Sequence, residues 1–253
     1  MTQAHFIVQR GQAEGEQTMV DYTVDVGAGM VVLDAIHQIQ ATQAPDLAVR
    51  WNCKAAKCGS CSAEVNGKPA LMCKTRLDDL DLTKPVEVRP MKTFPQLKDL
   101  VTDVGWNYEI NKLIKPFKPT NENTDEWVVM QEDIERAREF RKCIECFMCQ
   151  NACHVLRNHD KKDLTHREAL FAGPRFMIRL AGLEMHPMDG EDRMRFVKDE
   201  ANVGYCNITK CCTEVCPEEI KITDNAIIPL KERVIDRFYD PIAMLLGTLT
   251  GRK

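Results

Sequence analysis

Hydrophobic and polar positions alternate from the first residues of the chain. In Met1–Arg10 (MTQAHFIVQR), Phe6 and Val8 alternate with Ile7 and Gln9, which predicts a strand over residues 5–10. Residues 18–26 (TMVDYTVDV) repeat the pattern and predict a second strand, joined to the first by a turn rich in Gly and Glu. The period then changes. Met30–Gln40 (MVVLDAIHQIQ) places Val32, Ala35, Ile36 and Ile39 at helical spacing. Residues 62–66 (SAEVN) and 86–90 (VEVRP) read as further strands, the former ending in an Asn66-Gly67 turn. From Phe94 onward the pattern loosens, with Pro95, Pro116 and Pro119 leading to the polar run Thr120–Glu126 (TNENTDE), which reads as a connection with some helix. Glu132–Lys142 (EDIERAREFRK) is helix-like, and few β-like runs follow it. A domain boundary is expected near residue 105.

At 253 residues and 44% hydrophobic, the chain can bury real cores, so global disorder is not expected. Its net charge of −4 and pI of about 5.9 give no sign of nucleic-acid or phosphate binding. The N-terminus lacks the charged start and long apolar run of a secretion signal. No window approaches the roughly 18 apolar residues of a membrane span; Pro241–Leu249 (PIAMLLGTL) is the longest candidate. The chain is therefore expected to be soluble by itself, in a reducing compartment, and able to dock on a membrane protein.

Twelve cysteines change this picture. They admit disulfides, zinc or iron–sulfur chemistry, and disulfides need an oxidising compartment. They fall in three groups. Cys53, Cys58 and Cys61 are spaced C-x4-C-x2-C, with Cys73 following, the spacing of a plant-type 2Fe–2S site. Three thiolates on one tight loop can surround two irons while a neighbouring segment brings the fourth. Gly59 lets that loop approach the cluster, and backbone N–H groups can stabilise its reduced state. A four-cysteine zinc site more often shows two C-x2-C pairs. Lys54 and Lys57 on the loop can tune the cluster or simply be solvated.

Cys143, Cys146, Cys149 and Cys153 form the C-x2-C-x2-C-x3-C run of bacterial ferredoxins, whose fourth cysteine serves the other cluster. Cys206, Cys212 and Cys216, the last followed by Pro217, fit the same template, with Thr209 in the second place. Under the swap, Cys143, Cys146, Cys149 and Cys216 make a 4Fe–4S set. Cys153, Cys206 and Cys212 make a set of three, which suits a 3Fe–4S cluster; the alternative is a 4Fe–4S cluster whose fourth iron takes Thr209 or water. Cys211 is left over, as a small buried hydrophobe or as a ligand in place of Cys212. The expected fold is α+β: an N-terminal plant-type ferredoxin-like (β-grasp) domain over 1–104, then a mostly α-helical bacterial-ferredoxin-like domain over 105–253.

The ordered motifs WNCKAAKCGSC, CIECFMCQNAC and CNITKCCTEVCP resemble the iron–sulfur subunit of succinate dehydrogenase and fumarate reductase, respiratory complex II, over nearly the whole chain. The resemblance implies a separate flavoprotein partner holding FAD and oxidising succinate. Electrons would pass through 2Fe–2S, 4Fe–4S and 3Fe–4S clusters to a quinone where this subunit meets a membrane anchor. The location implied is peripheral, on the cytoplasmic face of a bacterial cell membrane. Members using ubiquinone typically carry Pro and nearby tryptophans after the fourth cysteine of the second group, and often His after the first cysteine of the third. Here those places hold His154, Val155–Asn158 and Asn207, which implies menaquinone or a site built mainly by the anchor. His154, Asn207 and Lys210 are candidates for the quinone's vicinity, and plain structural roles are the alternative for each. The tail Asp240–Lys253 could rest on the anchor or the lipid surface, or be a plain terminal helix. The alternatives to the complex II reading are a related fumarate reductase, another flavoprotein-linked quinone or thiol oxidoreductase, and a zinc-stabilised binding module.

Overall fold

The computed structural model describes residues 2–12, 15–120, 128–158 and 171–241. All of the polar run 120–126 but Thr120, and all of the tail 240–253 but its first two residues, lie outside them. The first half contains β1 (Thr2–Arg10), β2 (Thr18–Val26), α1 (Val32–Thr42), β3 (Ser62–Val65), β4 (Lys68–Leu71) and β5 (Val86–Arg89). The five strands form one mixed sheet in the order β2-β1-β5-β3-β4. β1 pairs antiparallel with β2, setting Phe6 opposite Tyr22, and parallel with β5, setting Phe6 opposite Val86. The alternation read in β1 is borne out: Ala4, Phe6 and Val8 are buried.

Helix α1 covers this face with Val32, Leu33, Ala35, Ile36 and Ile39, all buried. Each of the valine, leucine and isoleucine side chains contributes about 1.5–3 kcal/mol on leaving water. The Asp34 carboxylate accepts the Val31 N–H at 3.1 Å, satisfying a donor at the helix start. β3 and β4 form a hairpin through Asn66 and Gly67, whose φ values of 48° and 76° are what a two-residue turn of this hand needs.

A short hairpin, β6 (Gln96–Lys98) and β7 (Val101–Thr102), precedes the helical half. That half contains α2 (Gly105–Asn111), α3 (Gln131–Arg138), α4 (Met148–Ala152), α5 (His154–Arg157), α6 (Pro174–Glu184), α7 (Met194–Asp199) and α8 (Cys211–Glu214). A π-helical turn, Ile222–Ile227, then runs into α9 (Ile228–Tyr239). The helix expected at 132–142 is α3 followed by a tighter 3-10 turn over Glu139–Lys142. A second core surrounds α6, whose Phe176, Met177, Leu180 and Ala181 are buried with Phe171 and Leu230. Cys146 and Met148 pack instead into the core of the sheet half, so the second cysteine loop leans on the first half of the chain.

Candidate cluster sites

The loop Cys53–Cys61 runs between α1 and β3, and Cys73 follows β4. Lys54, Ala56 and Gly59 have φ of 54°, 55° and 69°. These left-handed residues turn successive N–H groups to one side, as an anion-binding concavity requires. The amides of Ala55 and Lys57 both reach Cys53 Sγ at 3.3 Å, that of Ala56 reaches Cys73 Sγ at 3.3 Å, and that of Cys73 reaches Cys61 Sγ at 3.4 Å. Burial pushes the Cys61 thiol up to about 12. At Cys58 burial acts the same way, but hydrogen bonds from Ser60 and Cys53 outweigh it and bring the thiol down to about 6. The structure thus brings the four predicted cysteines of the first group together.

The second and third groups share one backbone pattern. Glu145 and Phe147 have φ of 56° and 58°, two and four residues after Cys143, and α4 starts immediately afterwards. Ile208 and Lys210, at 58° and 61°, stand two and four residues after Cys206, and α8 starts immediately afterwards. The repeat equates Cys206 with Cys143, Thr209 with Cys146, Cys212 with Cys149, and Cys211 with Met148. Bulky and β-branched residues rarely take this conformation, so its recurrence at Phe147 and Ile208 marks a backbone held to a purpose.

Each pattern borders a sulfur-lined cavity. One is lined by Cys143, Cys146, Cys149 and Cys216 with Phe147 and Ile220. The other is lined by Cys153, Cys206, Cys211 and Cys212, and by Thr209, His154, Asn207 and Lys210. The crossing of Cys153 and Cys216 between the two loops is therefore present in space. Burial is the main cause that raises three of these thiols, to about 12 at Cys146 and about 11 at Cys153, and well above the ordinary value at Cys149. The closely grouped sulfurs, with N–H groups such as that of Ile220 at 3.4 Å from Cys216 Sγ, fit iron–sulfur clusters as a donor set. A larger cavity beside Cys143, lined by Phe117, Arg141 and Arg179, presents no second sulfur.

Cys211 is half-buried, not the buried hydrophobe that was one of its two expected readings, and it shares a 3.3 Å hydrogen bond with Thr209 Oγ1. Lys210 pairs with Asp224 at 2.7 Å. Lys57 reaches Glu218 at 3.9 Å and stays largely exposed, whereas Lys54 lies over the Trp51 ring at 4.7 Å.

Sequence reasoning missed the residues that hold these loops. Thr223, on the π-helical turn, contacts Cys212 Sγ at 3.4 Å. Gln150, fully buried on α4, donates to Asn107 Oδ1 and to the Ala172 carbonyl and accepts the Arg175 N–H. Gly173 makes room for it: with φ of 90°, any Cβ there would meet Gln150 Oε1 at 2.0 Å. Ser62 Oγ lies 2.9 Å from both the Gly59 and the Cys146 carbonyl oxygens, joining the first cysteine loop to the second. No spacing rule points to these residues, because each has a partner outside its own cysteine motif.

Comparison with known proteins agrees with this geometry. A family described as a 2Fe-2S iron-sulfur cluster binding domain matches residues 5–108, and one described as a 4Fe-4S dicluster domain matches residues 139–220. The fumarate reductase iron-sulfur subunit of Escherichia coli O6:H1 is 32% identical over 79% of this chain and 79% of its own length. The chain belongs to the family of succinate dehydrogenase and fumarate reductase iron–sulfur subunits. Within it, the succinate dehydrogenase iron-sulfur subunit of Bacillus subtilis is 30% identical over 69% of this chain and 68% of its own. A chain of the Mycobacterium smegmatis Sdh1 complex in the apo form is 58% identical, with a TM-score of 0.89 over 95% of this chain and 98% of that one. Some relatives are longer: the chain spans 40–43% of three proteins from methanogens, among them an uncharacterized iron-sulfur protein of Methanococcus maripaludis. The expected α+β fold and the order of the cluster domains are borne out. Among the described residues no helix is long and apolar enough to cross a membrane.

Proposed function

We propose that the chain relays electrons in a membrane-bound succinate:quinone oxidoreductase, from the FAD of a flavoprotein subunit to a quinone, menaquinone by the residues after Cys153, at the junction with a membrane anchor. In this reading the chain lies on the cytoplasmic face of a bacterial cell membrane and divides near residue 105. Cys53, Cys58, Cys61 and Cys73 hold a 2Fe–2S cluster, Cys143, Cys146, Cys149 and Cys216 a 4Fe–4S cluster, and Cys153, Cys206 and Cys212 a 3Fe–4S cluster. Bound there, the clusters supply one-electron carriers spaced along the chain. The residues do the rest. Left-handed turns aim N–H groups at the sulfurs, and apolar side chains such as Phe147 and Ile220 wall the cavity of the second group. His154, Asn207 and Lys210 border the third group, where a quinone would approach.

The observation that carries this reading is the repeated loop bordering two sulfur-lined cavities, one of which has a hydroxyl, Thr209, at the place of a fourth thiolate. That hydroxyl is engaged by Cys211, which supports a three-iron site over one ligated by Thr209. Low-temperature EPR of the purified complex tests it. The reading requires a reduced 2Fe–2S signal and an oxidised 3Fe–4S signal, and a preparation holding zinc and no acid-labile sulfide would end it. The similarity to the Escherichia coli protein favours, as a second reading, the same role in a fumarate reductase. The flavoprotein that co-purifies, and whether it oxidises succinate, separates the two.

A further inference from the structure

Cys211 is the one thiol of twelve that this assignment leaves unused. It borders the third-group cavity together with Cys153, Cys206 and Cys212, so that cavity meets four sulfurs and not three. Its Sγ lies 3.3 Å from Thr209 Oγ1. Thr209 occupies the position that Cys146 holds in the repeat, so a sulfur already reaches the place of the missing fourth ligand from two residues further along.

We propose that Cys211 is a reserve ligand: it lets the third site take up a fourth iron and become a four-thiolate 4Fe–4S site, and give that iron back. The inference rests on the ligand assignment proposed above. The loop is fixed on both sides of Thr209, since Lys231 Nζ binds the Cys206 carbonyl at 2.6 Å and Lys210 pairs with Asp224. The change is therefore confined to the Cys211 side chain, which gives up a weak hydrogen bond to a hydroxyl and gains iron. In the balanced step, a ferrous ion comes from solution, the Cys211 thiol releases its proton to solvent and the thiolate–iron bond forms. Starting from the one-electron-reduced three-iron cluster, the core gains the two charges of the ferrous ion and no electron is exchanged. A one-electron oxidant such as ferricyanide drives the reverse, with loss of one ferrous ion and return of the proton to sulfur.

The test uses the purified complex, reduced with dithionite, incubated anaerobically with ferrous ammonium sulfate and desalted. Iron per chain is counted, and isotopically enriched samples are read by Mössbauer spectroscopy. The wild-type protein should gain one iron per chain, with the three-iron spectrum replaced by a four-iron one. Cys211→Ala and the near-isosteric Cys211→Ser should gain none and keep the three-iron spectrum. Thr209→Cys combined with Cys211→Ala should restore the uptake, because the thiolate is returned to the repeat's own position. Absence of uptake by the wild type, or equal uptake by Cys211→Ala, overturns the proposal. A wild-type preparation showing no three-iron signal before treatment would instead overturn the cluster assignment beneath it.

Discussion

His37 shows what one side chain next to a cluster loop can impose on the fold. Its ring meets Trp51 edge-on, with centroids 4.7 Å apart, and its Nε2 is buried without a hydrogen-bond partner in the protein. Burial, and then the charge of Lys54, pushes its pKa below the ordinary value of 6.5, against the weaker pull of Asp34. The neutral ring is thus the form the fold prefers. A group whose folded pKa is depressed contributes stability that is full above its unfolded value and lost as pH falls through the folded one. The unfolding temperature, followed by Trp51 fluorescence, should therefore fall as pH is lowered from about 7 to 5, the range in which imidazole charges. His37→Gln should flatten that profile; equal slopes in the two proteins would count against it. The sequence shows the His but not this environment, since Trp51 is fourteen positions away and only the turn after α1 brings it back. The cysteines are the opposite case. Their chemistry is local, three ligands on one loop, so spacing alone grouped them. Cys211 escaped that logic because it stands outside the spacing template, and its contact with Thr209, which the template did place, appears only in the structure.

Elements were legible where one face of them is buried and periodic. Helix α1 carries Val32, Ala35, Ile36 and Ile39 on one stripe, and β1 carries Phe6 and Val8 on one face, so both could be read directly. β4 could not, because Lys68-Pro69-Ala70-Leu71 has no β-branched residue and contains a proline. It is tolerated only because β4 lies at the sheet edge, where a missing N–H costs no ladder bond. The cluster loops were legible as ligands and illegible as backbone, since left-handed Phe147 and Ile208 run against residue preference and are held there by tertiary contacts. The contact between the loops at Gly59 is the tightest of these. A Cβ at Gly59 would come within 2.7 Å of Cys146 Cα, in addition to the cost of its φ of 69°. Gly59→Ala should accordingly prevent stable assembly of the first cluster, read as loss of the 2Fe–2S spectrum from otherwise folded protein. Ser62→Ala is milder. One hydroxyl proton serves two buried carbonyls, of Gly59 and Cys146, and its removal leaves both short of a donor at about 1–3 kcal/mol. Urea unfolding of the loaded protein measures this, and Ser62→Thr, which keeps the hydroxyl, should recover most of the loss.

At the scale of the whole molecule, the two halves are tied by buried polar bonds as well as by apolar packing. Glu64, on β3 and only 3% exposed, accepts Asn151 Nδ2 at 2.9 Å and Arg157 Nη2 at 3.1 Å. Arg157 Nε also binds the Asn151 carbonyl at 2.7 Å, and Asn151 Oδ1 accepts the Thr93 N–H at 3.0 Å. The network links the sheet that carries the first cysteine loop to α4 and α5, which flank Cys153. It is a high-stakes arrangement: complete, it fixes the relative position of the halves; broken on one side, it strands a buried carboxylate. Arg157→Ala should cost about 3 kcal/mol, at the low end for a broken buried pair, because Asn151 still donates to Glu64. Glu64→Gln should cost less, since the amide oxygen still accepts and the charge left behind, on Arg157, is partly exposed to solvent and keeps the Asn151 carbonyl. The two substitutions should not add. With the carboxylate already neutral, removing Arg157 loses much of its penalty, and the double variant should fall short of the sum by about 1 kcal/mol or more. Denaturant unfolding of the four proteins gives the cycle, and strictly additive losses would mean that Glu64 is satisfied without Arg157. The slope of the same curves carries the larger inference. If this network is what makes the halves unfold as one, Arg157→Ala should lower the apparent slope, as a single transition begins to split into two smaller ones.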